Sequence, residues 1–275
     1  MKVKVYAKIN LSLNCCGVEN GFHRLDTVMA SVDIADVISV LPRADKTVTV
    51  TFSSGLLGEK SNAFKAATLM VEKANCLGAD IFIEQNIPSG AGLGGSSADS
   101  AGVIRAMAKL YKIDEKMQVE IAKSIGSDVP YMLKGGFARL KGTHTGLEYF
   151  DAIGGEVLLY GSGSVNTGEC FALFDASGTS GVASDNEALI ASIKSKGIIN
   201  ARKHFSNALF LSASTLNPEI ARVKSAMERA GLSACMTGSG SFVFGVGTDE
   251  ELSKGQELLP NAKRVKIVNS GIEFI

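Results

Sequence analysis

Ile81-Phe-Ile-Glu-Gln-Asn-Ile-Pro88-Ser-Gly-Ala-Gly-Leu-Gly-Gly-Ser-Ser-Ala-Asp99-Ser-Ala-Gly-Val-Ile-Arg-Ala-Met107 is the stretch from which the rest of the chain can be read. An alternating apolar run (Ile81, Ile83) leads to Pro88, and four glycines follow within six residues. Small residues at helical spacing then continue to Leu110, so the order is strand, glycine loop, helix. Such a loop brings backbone N–H groups close to a guest without side-chain interference, and the helix start behind it adds the positive end of its dipole. A polyphosphate is a natural guest. A strand-to-helix connection with no ligand uses the same residue types, so the loop alone does not decide.

Outward from this stretch, a chain of 275 residues suits two modest domains. Residues 2–14 alternate as a strand carrying Lys8 and Asn10, and β-type runs follow at 27–32, 36–41 and 47–52. Ser61 and Asn62 open a helix over 63–74, and Asp114 caps another over 116–125. A turn at Gly126-Ser-Asp-Val-Pro130 breaks that pattern, and Gly135-Gly136 marks a further turn. Residues 141–155 lose apolar periodicity and mark a seam, giving expected domains at 1–150 and 151–275. Beyond it come a buried strand at 156–160, a short helix containing Phe171 and a Gly/Ser-rich connector at 178–185. Helices at 186–196, 218–230 and 249–259 then alternate with strands at 233–236, 242–246 and 264–268. This mixed order is α+β rather than a regular β-α alternation.

Lys plus Arg and Asp plus Glu both number 28, so the net charge is zero and no field favours nucleic acid or an anionic membrane. The five cysteines form no C-x-x-C pair, as expected of reduced thiols in the cytoplasm. The first residues lack the apolar core of a signal peptide, and no apolar run approaches a membrane span.

Gly90-x-Gly92-x-x-Gly95 satisfies the dinucleotide fingerprint formally, but some eighty residues of sheet and helix precede its strand and the acidic Asp114 and Glu115 open a helix rather than end a strand. The Walker pattern fails because Ser96, not Lys, follows the last glycine. A triphosphate held here therefore needs Mg²⁺ and a cation from elsewhere in the chain. Lys8 and Asp128 are the candidates, as charge stabiliser and proton acceptor for a kinase acting on an alcohol. Each also has an ordinary reading, Lys8 as a strand lysine whose head snorkels to water and Asp128 as a helix-capping turn residue. His23 in Gly21-Phe-His-Arg-Leu25 is either a solvated turn histidine or a partner for a flat base. Thr237-Gly-Ser-Gly240 is either a second anion-facing loop or a bend.

Together these residues carry a resemblance. Ala7-Lys-Ile-Asn-Leu11, Pro88-Ser-Gly-Ala-Gly-Leu-Gly-Gly-Ser-Ser97 and Met236-Thr-Gly-Ser-Gly240 resemble, in order, the three motifs of the GHMP kinase superfamily. The Gly21-Phe-His-Arg-Leu25, Asp33-Ile-Ala-Asp36 and Gly126-Ser-Asp-Val-Pro130 segments resemble the branch that acts on a cytidine-diphosphate-linked alcohol in isoprenoid precursor synthesis. The resemblance implies two α+β domains with ATP and a small-molecule substrate meeting in the cleft between them, in a monomer or homodimer. Lys8 and Asp128 match its catalytic pair, and residues 88–97 (Pro88, Ser89, Gly90, Ala91, Gly92, Leu93, Gly94, Gly95, Ser96, Ser97) match its ATP loop, with Asn62 near the adenine. Asn10, Thr167, Gly238, Ser239 and Gly240 match its substrate contacts. Phe22 and Phe171 would sandwich the cytosine, with His23 hydrogen-bonding its edge. Ser96 stands where the family has a glycine, Phe22 where it has tyrosine, and Gly142-Thr-His-Thr-Gly146 replaces a tighter turn. The remaining readings are a sibling kinase for homoserine, mevalonate or a sugar, a nucleotide-binding protein without catalysis, and a dinucleotide oxidoreductase.

Overall fold

The computed structural model describes residues 1–19, 21–142, 146–178 and 183–275, with Phe22 described in its backbone only. The N-terminal alternation runs further than expected. β1 (Lys2–Glu19) and β2 (Phe22–Pro42) pair antiparallel along nearly their whole lengths. The runs expected at 27–32 and 36–41 are parts of this one strand, because the pairing passes from Tyr6–Ala35 to Ala7–Val32 and a bulge absorbs Asp33 and Ile34. A second irregularity lies between Asn10 and Ser12, so Lys8, Ile9 and Asn10 are bracketed by bulges.

β3 (Val48–Phe52), α1 (Asn62–Lys73) and β4 (Ala79–Glu84) follow, with β3 and β4 parallel. Ser61 caps α1 by accepting from the Phe64 N–H, and Ala63, Ala66, Ala67 and Met70 form its buried stripe. α2 (Gly95–Tyr111) is buried on nearly all sides. Its small residues allow this: a side chain at Gly102 would meet Val5 Cγ1 at 2.4 Å and Ile38 Cδ1 at 2.6 Å. α3 (Glu115–Ile125) is capped by Asp114 as expected, and the interrupted segment after it forms a single turn, α4 (Val129–Met132).

The expected seam contains a hairpin instead, β5 (Ala138–Gly142) and β6 (Gly146–Tyr149); residues 143–145 between them lie outside the described residues. β7 (Glu156–Tyr160), α5 (Thr167–Ser177) and α6 (Asn186–Lys196) agree with expectation. The connector residues 179–182 are not among those described. A 3₁₀ segment at Ile198–His204, the two-residue β8 (Ser206–Asn207) and α7 (Phe210–Leu216) come next and were not expected. These elements are too short, or too rich in Ser and Thr, for periodicity to register. α8 (Glu219–Arg229), the antiparallel pair β9 (Ser233–Met236) and β10 (Val243–Val246), α9 (Asp249–Leu258), β11 (Lys263–Val268) and β12 (Ile272–Phe274) complete the chain.

The sheet runs β12-β1-β2-β11-β7-β10-β9. Along its other edge the long β2 takes β5 at Leu25–Met29, β11 at Ser31–Val32 and β4 at Val37–Pro42. Two apolar clusters result. One lies between β1, β2, β4 and α1–α3, the other between α5, α7–α9 and the β7-β10-β9 strands, and residues beyond 150 contribute to both. Among the described residues no helix is long and apolar enough to cross a membrane.

Candidate functional site

The outer edge of β1 is shared. β12 pairs with Val3–Val5 and β8 with Ser12–Leu13, and between them the strand is left to two loops. The Lys8 N–H donates to the Leu93 carbonyl at 3.0 Å, and the Asn10 N–H donates to Thr237 Oγ1 at 2.9 Å. Both glycine clusters of the sequence therefore dock on one short interval of strand.

This docking dictates how the first loop faces. The carbonyls of Gly90, Ala91, Gly92 and Leu93 accept, respectively, from Val165 N–H, Phe242 N–H, Lys8 Nζ with Thr237 Oγ1, and Lys8 N–H. Four consecutive carbonyls are thus turned into protein, while the N–H groups of residues 90–96 have no protein acceptor among the described residues. Gly92 is required by space and backbone alike, since it sits at φ +73° and a Cβ there would lie 2.1 Å from the Thr237 carbonyl. Gly94, at φ +75°, starts α2 without a side-chain cap, and a Cβ on it would press on Met132 Cε at 2.5 Å. The result is a row of amides ending at an open helix N-terminus, which is an anion site by geometry.

Lys8 and Asn10 project from the bulged interval to the same side and are buried to 3% and 2% exposure. Lys8 does not snorkel. Its ammonium donates to Asn10 Oδ1 and, at 2.9 Å, to the Gly92 carbonyl, and lies 3.6 Å from Asp128 Oδ2, so each of its three protons has a direction. Burial lowers the Lys8 pKa below its ordinary value, and the charge and hydrogen bond of Asp128 oppose that. Asp128 holds the capping position of α4, yet its side chain makes no cap hydrogen bond and turns to Lys8 instead. Its partial exposure leaves one side open to the cleft.

The cleft has a volume of about 400 Å³, and the run from Pro88 to Ser97, Lys8, Asn10, Asp128, Thr167, Phe171, Gly238 and Ser239 all line it. Asn62 stands at its exposed rim, where its Nδ2 donates to Ser96 Oγ at 3.0 Å. Gly240 closes the second loop from behind, its N–H donating to the Thr237 carbonyl. At the far end Thr167, on the first turn of α5, shares a hydrogen bond of 2.9 Å with Ser239. His23 stacks on Phe171, ring centroids 4.4 Å apart and planes at 28°, and its Nε2 lies 2.8 Å from Asp175 Oδ1. The structure thus brings His23 to the face of Phe171, where sequence reasoning expected it beside the base edge. The side chain of Phe22 lies outside the described residues.

Some working residues escaped sequence reasoning. Thr237 joins the motifs by accepting from Asn10 and donating to Gly92, and Thr27 accepts from Asn10 Nδ2 at 2.8 Å. Asn207 donates to the carbonyls of Met236 and Gly238, which fixes the second loop. Thr237 lay inside a noticed cluster; Thr27, Asn207 and Asp175 carry no pattern that spacing reveals.

Comparison with known proteins agrees with this geometry. The GHMP kinases N terminal domain matches residues 61–136, and the GHMP kinases C terminal domain matches residues 187–261. The chain is 34% identical over 258 residues to a 4-diphosphocytidyl-2-C-methyl-D-erythritol kinase of Syntrophomonas wolfei, covering 90% of each protein. It is similar to a crystal structure of 4-(cytidine 5'-diphospho)-2C-methyl-D-erythritol kinase, with TM-score 0.78 and 29% identity over 97% of this chain and 99% of that one. A homoserine kinase from Cytophaga hutchinsonii shares the fold, with TM-score 0.71 and 19% identity over 100% of this chain and 97% of that one.

Proposed function

The chain belongs to the GHMP kinases, in the family of the 4-diphosphocytidyl-2-C-methyl-D-erythritol kinases, and from this premise we propose that it transfers the γ-phosphoryl group of ATP to a hydroxyl of 4-diphosphocytidyl-2-C-methyl-D-erythritol. The observation that carries this reading is the glycine loop with its carbonyls engaged and its amides free, facing a Lys8–Asp128 pair at 3.6 Å.

In this reading the amides of residues 90–96 and the dipole of α2 hold the triphosphate. The substrate hydroxyl comes between the γ-phosphorus and Asp128. Its oxygen bonds to phosphorus, the bond from phosphorus to the ADP oxygen breaks, and the hydroxyl proton passes to Asp128. Lys8, held in place by Asn10 and Gly92, stabilises the charge that develops on the phosphoryl oxygens. Asn62 sits on the adenine side, and Phe171 with Thr167 and Ser239 receives the cytidine end.

Among the described residues no three His, Cys, Asp or Glu side chains converge as a metal cage. Mg²⁺ would enter with the nucleotide, as MgATP, and would neutralise charge on the phosphate oxygens. All five cysteines are free, which suits work in the cytoplasm. A coupled ADP-release assay tests the proposal. ADP should appear with the cytidine substrate and not with homoserine, mevalonate or a sugar. Release with one of those alone would overturn the substrate, and release with none would overturn the kinase.

A further inference from the structure

Two buried carboxyl groups outside the catalytic pair, Asp36 and Asp99, both line the cleft beside the glycine loop and face each other there. Asp36 comes from β2, where it is paired in register with Val5 and so points to the face covered by α2. Asp99 comes from α2, one turn before Gly102, the residue that packs on Val5 and Ile38. They are 1% and 4% exposed. Asp36 Oδ1 accepts from the N–H groups of Asn86 and Ile87, immediately before Pro88, and Asp99 sits just past the other end of the loop. Among the described residues no donor reaches Asp99 Oδ1.

A carboxylate buried without a donor is costly, and two in contact are costlier, unless one carries a proton and gives it to the other. Among the described residues no cation supplies the alternative. Lys8 is engaged by Asn10, Gly92 and Asp128, Arg105 of α2 turns to Leu133 and Gln118, and Lys65 of α1 turns to Ser124. Lys4 and Glu84 stand on the opposite face of the sheet, in register with Val37, and Gln85, Asn86 and the loop itself carry no charge. We propose that Asp36 and Asp99 share one proton and that this hydrogen-bonded pair ties the two ends of the glycine loop together, holding it in its phosphate-binding shape. Asp36 and Asp99 are positioning residues, and their link to phosphate rests on the kinase reading above.

Burial, then the charge of Asp36, raises the Asp99 carboxyl well above 3.8, and burial raises Asp36 as well. Groups raised in the fold give stability that is complete below the ordinary carboxyl range and is lost as pH rises through the folded values. Ionisation of the pair should therefore loosen the loop as pH rises through the raised folded values.

The test measures Tm without ligand, and kcat and KM for MgATP, over a pH series rising from the ordinary carboxyl range in wild type, Asp99→Asn and Asp99→Leu. An asparagine offers Asp36 an N–H at every pH, so Asp99→Asn should abolish the rise in KM for ATP with rising pH and the accompanying fall in Tm. Asp99→Leu offers no donor and should raise KM for ATP about tenfold at every pH with a smaller change in kcat. Wild type and Asp99→Asn with superimposable Tm–pH curves would overturn the shared proton, and that comparison stands even where Asp99→Leu does not fold. An unchanged KM in a folded Asp99→Leu would overturn the positioning role. A wild type that uses no ATP would sink the kinase reading, while the ligand-free Tm curves would still decide the proton.

Discussion

At the phosphate end of the cleft the working groups are backbone, and at the aromatic end they are side chains. Residues 90–96 offer amides whose direction is set by four carbonyls bonded behind them, on a strand buried in the larger apolar core. Phe171, His23 and Thr167 come from α5 and the start of β2, and the His23–Asp175 contact is largely in water, with Asp175 53% exposed. The first end is rigid because many hydrogen bonds cross there. The second is held by fewer bonds, among them the His23–Asp175 contact and the Thr167–Ser239 hydrogen bond. In the proposed reaction the polyphosphate, the same in every turnover, would meet the first end, and the part of the substrate that must be distinguished would meet the second.

The largest break in this contrast is chemical. Asp128→Asn removes the proton acceptor but keeps shape, so kcat should fall by about 10²–10⁴-fold with KM for both substrates nearly unchanged. A residual rate within tenfold of wild type would show that Asp128 orients rather than accepts.

Next comes the rigid end. Gly92→Ala forces a Cβ toward the Thr237 carbonyl in a left-handed backbone conformation, which costs about 1–3 kcal/mol before any relaxation. Because the loop is also cross-linked to β1 through Lys8, the strain should appear twice, as a lower Tm and as a raised KM for MgATP. If Tm falls and KM does not, the loop is scaffolding rather than a phosphate cradle.

Much of the phosphate end was legible in the sequence for the reason that makes it rigid. Glycines, a proline and a helix start are local signals, and Lys8 and Asn10 two apart on a strand share a face. What spacing cannot show is that β12 and β8 leave the edge of β1 open between them, or that Thr237 bridges the motifs at that edge. The separate runs expected in β2 were one strand, since a bulge looks like an interruption when only periodicity is read. At the aromatic end His23 was found by residue type and Phe171 only through the family resemblance, and their stacking and the Asp175 contact depend on α5 lying against β2. No local pattern encodes that.

Phe171→Ala tests the aromatic end. Base stacking on an aromatic ring is worth about 1–3 kcal/mol, so KM for the cytidine substrate should rise about tenfold while kcat and KM for ATP hold. Equal changes in both KM values would mean that α5 supports the whole cleft and that the two ends are not independent.

The smallest expected effect concerns Ser96, the residue that departs from the family glycine in the phosphate run. Its hydroxyl accepts from Asn62 at the exposed rim, so the added side chain points along the helix surface and away from the row of amides. Water can replace a bond so placed, and its loss amounts to about 1 kcal/mol or less. Ser96→Gly should therefore shift KM for MgATP by less than about fivefold, and Asn62→Ala by a similar amount, since each removes one partner of the same contact. The double variant should add nothing beyond the larger single change. A large loss in Asn62→Ala alone would separate the two, pointing to a contact between Asn62 and the nucleotide that does not run through Ser96.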